Sequence, residues 1–71
     1  MSYGATTKLT EPEIAALRRY LDDHGHARAY AAIGLAKNTC YKALAGDKIA
    51  RGTAVLIRSA LALDAQQEAR R

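Results

Sequence analysis

Lys37, Asn38, Tyr41 and Lys42 are spaced so that, on a helix, they share one side. These residue types can read base edges. Asparagine makes a bidentate pair with adenine, lysine donates to guanine O6 or N7, and a tyrosine ring lies against a thymine methyl or bonds a phosphate. Each has a plainer use as well: Asn38 near a helix start can satisfy backbone groups, and Tyr41 can be partly buried.

The charge pattern supports a polyanionic partner. The 71-residue chain carries a net charge of +4, and all of it lies on one stretch: residues 1–25 sum to −1, residues 26–52 to +4 and residues 53–71 to +1. In the middle stretch Arg28, Lys37, Lys42, Lys48 and Arg51 face only Asp47. A basic patch of this kind is the electrostatic footprint of a nucleic-acid binder, although a solvated lysine face has the same composition. Arg28, Lys48 and Arg51 suit phosphate contacts, which position a protein without reading sequence. The hydroxyls of Thr39 and Thr53 can add phosphate contacts at helix starts; for Thr53 a purely structural cap is the more ordinary role.

Catalytic and metal chemistry find little support. His24 and His26 straddle Gly25 and do not share a helical face, and no third ligand is evident, so no metal is expected. Cys40, the single cysteine, has no obvious base beside it and reads as a small buried hydrophobe. There is no glycine-rich phosphate loop, serine triad pattern or paired-carboxylate cleft. No enzyme activity, cofactor or small-molecule substrate is expected.

These side chains need helices to position them. Thr10-Glu11-Pro12-Glu13 is a capping box with proline in the first turn, and Ile14, Leu17 and Leu21 recur at helical spacing. A first helix is predicted over residues 11–24, with Gly25 as a left-handed stop. A second, alanine-rich helix is predicted over residues 27–33 with Ala29 and Ile33 inward, then a sharp turn at Gly34 with Leu35 plugging the corner. A third is predicted over residues 37–45, burying Cys40, Ala43 and Leu44 and closed by Gly46. Residues 47–52 read as a polar loop, and Thr53 as the cap of a fourth helix running to about residue 68. No stretch alternates with period two. Residues 1–9 read as a flexible arm and residues 10–71 as one domain: all-α, four to five helices, with a central helix-turn-helix.

The apolar surface of the fourth helix is wider than one small core needs. Val55, Leu56, Ile57, Leu61 and Leu63 are therefore expected at a homodimer interface, the simplest partner being the same helix of a second copy. The apolar runs on either side of Arg58-Ser59 are too short to span a bilayer, and residues 1–7 lack the pattern of a signal peptide. A soluble, cytoplasmic protein with no membrane partner is expected.

The stretch from Ile33 to Gly46 resembles the helix-turn-helix domains of phage-repressor and Cro-type transcription factors, the lambda-repressor-like family. Ile33 matches the buried residue before the turn glycine, Gly34 that glycine, Leu35 the apolar residue after it, Ala36-Lys37-Asn38-Thr39 the opening of the recognition helix, Cys40 the next buried residue, and Gly46 the closing glycine. The resemblance covers about residues 11–63. Tyr30 stands where the family favours alanine, which shifts helix 2 or leaves the tyrosine partly outside the usual contact. Ala36 stands where serine or threonine is common, which leaves the third helix weakly capped. The resemblance implies that the residues opening the recognition helix, and those one turn later, face bases. The function expected is sequence-specific binding of double-stranded DNA, as a bacterial or phage repressor dimer on a palindromic operator. The competing expectation is a helical protein-interaction module docking through its apolar C-terminal helix.

Overall fold

The computed structural model describes residues 5–70. Its first helix, α1 (Glu11–His24), begins where the capping box sets it. The Glu13 N–H donates to Thr10 Oγ1 at 3.4 Å, and the Thr10 N–H donates to Glu13 Oε1 at 2.8 Å. Leu17, Tyr20 and Leu21 form its buried stripe. Gly25 ends α1 with φ 84° and ψ 144°, a positive φ with an extended ψ instead of the expected left-handed helical turn. This single residue redirects the chain, since α2 (His26–Ile33) starts at the next position and the Gly25 carbonyl accepts from the Ala29 N–H at 3.0 Å.

Gly34 follows α2 in the left-handed conformation, φ 84° and ψ 33°, which a side chain adopts only at a cost. The Gly34 and Leu35 N–H groups both donate to the Tyr30 carbonyl, at 2.8 and 3.0 Å. Leu35 is buried in the corner, as expected, and α3 (Lys37–Leu44) leaves in a new direction. Cys40 and Ala43 on α3 are fully enclosed, and Leu44 is half-buried.

Two expectations are corrected around the start of the last helix. Residues 49–50 are not loop. Ile49–Ala50 forms a short strand, β2, paired antiparallel with β1 (Thr6–Thr7), with Thr6 opposite Ala50 and Thr7 opposite Ile49. The Arg51 N–H reaches the Ala5 carbonyl at 3.3 Å. With the backbone held extended through Ala50, α4 (Arg51–Ala69) starts two residues before the expected cap. Ala50 is its N-cap, and Thr53 lies inside the first turn, half-buried, capping nothing. The pairing also bears on the expected arm: residues 5–9 run into the fold and Leu9 is buried at 5% exposure, while residues 1–4 lie outside the described residues.

All-α describes the architecture, with four helices and one two-residue ladder among the described residues. One core joins the four helices and β2: Leu17 and Leu21 of α1, Ala29 and Ile33 of α2, Cys40 and Ala43 of α3, Ala54 and Ile57 of α4, with Ile49 of β2 and Leu9, which follows β1. Alanine and cysteine at the crossings let short helices approach closely. Two polar contacts tie α4 to α1. Arg58 Nε donates to Glu13 Oε2 at 2.6 Å and its Nη2 donates to Glu13 Oε1 at 3.2 Å; His24 Nε2 lies 2.9 Å from Asp64 Oδ1. No helix among the described residues is long and apolar enough to cross a membrane.

Two outcomes test this construction. Ile57 is fully buried, so Ile57→Ala should cost about 2–5 kcal/mol in chemical denaturation; a loss below about 0.5 kcal/mol would contradict its place in the core. The Arg58 guanidinium and the Thr10 backbone N–H hold the Glu13 carboxyl down at about 2. Its pKa is lower in the folded state than in the unfolded one, so its stabilisation is present above the ordinary carboxylate range and is lost as pH falls through about 2. Glu13→Gln keeps an acceptor for Thr10 and removes only the ion pair. It should lower Tm by a few degrees at pH 7, and the gap from wild type should close toward pH 2; a gap independent of pH would overturn the account.

Candidate nucleic-acid interface

α3 is short, so one turn decides which side chains it shows. With Cys40 and Ala43 inward, Lys37, Asn38, Tyr41 and Lys42 all fall on the exposed side. Tyr41 keeps 48% of its surface free, so the alternative of partial burial does not describe it well. The Lys37 Nζ lies 5.7 Å from the centre of the Tyr41 ring, a cation–π contact one helical turn apart that restrains both side chains. Asn38 is exposed, and its amide has no hydrogen-bond partner among the described residues. The helix-start use of that amide is therefore not realised here.

The expected phosphate-contact residues occupy different settings. Arg28 is exposed on α2, Lys48 is exposed just before β2, and Arg51 is exposed as the first residue of α4. Thr39 and Thr53 are half-buried in the first turns of α3 and α4. Among the described residues the ion pairs are Arg19 with Asp23, His24 with Asp64, and Arg58 with Glu13. Arg28, Lys37, Lys42, Lys48 and Arg51 take part in none of them. Three acidic side chains, Glu13 and Asp23 of α1 and Asp64 of α4, are engaged in those pairs instead.

The helix starts repeat this division. α1 has a side-chain cap and two acidic residues in its first turn. α2, α3 and α4 have neither a side-chain cap nor an acidic residue there. They carry Arg28, Lys37 and Arg51 in those first turns, where the helix dipole disfavours a cation. Ala36, the N-cap of α3, leaves the leading N–H groups of that helix without a side-chain acceptor, as its residue type implied. An external anion would relieve all three starts.

One side-chain contact, between His26 and Tyr30, was not anticipated from sequence. Tyr30 of α2 is half-buried and its hydroxyl lies 3.2 Å from His26 Nδ1, with the two rings edge to face. Burial, with Cys40 and Tyr41 nearby, raises the Tyr30 phenol above its ordinary value. The i,i+4 spacing of His26 and Tyr30 was the available signal. Ala29, one residue earlier, is fully buried between the helices, so the bulk of Tyr30 is accommodated at the edge of the contact. Burial likewise pushes the Cys40 thiol up, which fits a packing role.

The residues expected at a dimer interface divide. Val55, Leu56 and Leu63 are exposed at 59%, 48% and 57%, and Leu61 is half-buried. Ile57 is corrected: it is fully buried in the core of the single chain and is not available to a partner. Among the described residues no group of three or more His, Cys, Asp or Glu side chains could hold a metal ion. A scan against protein-family models finds no match, and neither does a search of curated proteins or of solved structures.

Proposed function

We propose that this chain binds double-stranded DNA sequence-specifically and regulates transcription, with α2 and α3 acting as a helix-turn-helix and α3 as the recognition helix. The observation that carries the reading is the two-sidedness of α3. Its inner side is closed by Cys40 and Ala43, and its outer side is an exposed set of two lysines, an asparagine and a tyrosine. In this reading Asn38 and Lys42 make base-edge hydrogen bonds, Tyr41 packs on a thymine methyl or meets a phosphate, and Lys37 contributes to either. Arg28, Lys48 and Arg51 bind phosphates, helped by the uncapped starts of α2, α3 and α4. For a small helical unit that binds an operator, repression by occupying a promoter is the most economical mechanism.

Selection from a randomised duplex pool at near-physiological salt tests the reading. Enrichment of a defined motif is expected, and affinity for it should fall with salt at a log–log slope of about 0.9 per phosphate contact. No enrichment, or binding indifferent to salt, would overturn it. The roles within the site separate by substitution. Lys42→Ala should change the preferred base at one position, with a cost of about 1–3 kcal/mol on the selected site. Arg51→Ala should weaken all sequences alike and reduce the salt slope by about 1. If the two variants behave identically, Lys42 is not a base reader.

A further inference from the structure

We infer that Lys8 and Thr6, brought alongside Lys48 by the β1–β2 ladder, form a second grip on the phosphate backbone of duplex DNA, next to α3. The inference rests on the DNA-binding reading and adds to it two residues that lie outside the basic stretch of the sequence.

The register of the ladder places them. Thr6 pairs with Ala50 and Thr7 with Ile49, so the next step along both strands sets Lys8 across from Lys48. Side chains alternate between the two faces of a strand. One face of the ribbon therefore holds Thr6, Lys8, Lys48 and Ala50, and all four are exposed. The other holds Thr7, Leu9 and Ile49, and of these Leu9 and Ile49 are buried in the core. Burial thus follows the alternation one position beyond the paired residues on each strand.

In the sequence Lys8 belongs to the stretch 1–25, whose charges sum to −1, and nothing there connects it with Lys48. Folding sets the two lysines against each other. Like charges directly opposite on neighbouring strands, with Cβ atoms about 5 Å apart, repel. Neither lysine takes part in an ion pair among the described residues, and no acidic side chain shares their face of the ribbon. An anion from outside would relieve the repulsion.

The surroundings favour the backbone of a duplex as the source of that anion. β2 begins shortly after α3 ends and packs against it, so the lysine pair lies beside the helix that carries Lys37, Asn38, Tyr41 and Lys42. The Thr6 hydroxyl, on the same face, is a further phosphate donor, and Ala50 is small enough to let a sugar–phosphate chain come close. Each lysine is also the chain neighbour of a core residue, Leu9 or Ile49, which fixes its backbone and reduces the freedom lost on binding.

Two readouts on the full chain test this. In thermal unfolding without DNA at low ionic strength, Lys8→Glu turns the repulsion into a cross-strand ion pair and should raise Tm by about 2 °C, a gain that shrinks as salt is added. On the duplex that wild type selects, Lys8→Ala should lower affinity about five- to tenfold and the salt slope by about 0.9, with the preferred motif unchanged. Lys8→Glu should bind more weakly still, whereas Lys8→Arg should stay within about twofold of wild type. If Lys8→Glu is no more stable than wild type at low salt, the two lysines do not face each other and the inference falls. It also falls if Lys8→Ala keeps its affinity and salt slope, or if the preferred motif changes. The DNA-binding reading survives each of those results, because wild type still selects its motif. A wild type that selects no duplex ends both.

Discussion

An eight-residue helix is about two turns long, too short to persist in water by its own hydrogen bonds. α3 is of that length, and it exists because Cys40 and Ala43 are closed off by the rest of the fold. Burying those two small side chains sets the rotation of the helix, and the rotation decides that Lys37, Asn38, Tyr41 and Lys42 face outward. Gly34 supplies the direction of approach through its left-handed backbone, and Leu35 fills the corner that this turn leaves. A shift of one residue in α3 would put either Thr39 and Lys42 or Tyr41 and Leu44 at the two core positions now held by the small Cys40 and Ala43, so the core and the polar surface specify the same register.

The charges are arranged around this constraint. Acidic groups are concentrated on α1 and the second half of α4, where Glu13 holds Arg58 and Asp64 holds His24. These contacts join residues about forty positions apart and clamp the last helix along the first. The middle of the chain is left with five cations outside any ion pair among the described residues, and three of them occupy uncapped helix starts. Those helix starts lack the local stabilisation of a cap, while α1, the one helix with a side-chain cap among the described residues, frames the core.

α4 turns one side to the core and leaves another exposed. Ile57 faces the core and its neighbour Leu56 faces outward, so the single chain uses only part of an apolar helix. A composition too apolar for one core was visible in the residues. Which side chains belonged to which surface was not, because the helix is apolar nearly all round and its periodicity has no sharp minimum to mark the inner side.

The sequence by itself determined the features that depend on neighbours within four or five positions: the start of α1 from Thr10 and Glu13, the break at Gly25, the turn at Gly34, the bare cap at Ala36 and the clustering of cations. These are local because capping hydrogen bonds, backbone φ preferences and helical spacing all act within about one turn. Only the tertiary structure decided that Ile49–Ala50 pairs with Thr6–Thr7, that Leu9 is core, that Thr53 caps nothing and that Ile57 is unavailable to a partner. Each of those depends on a segment distant in sequence arriving alongside. A two-residue strand has no periodicity to announce it, and a helix start moves when another part of the chain holds the preceding residue extended.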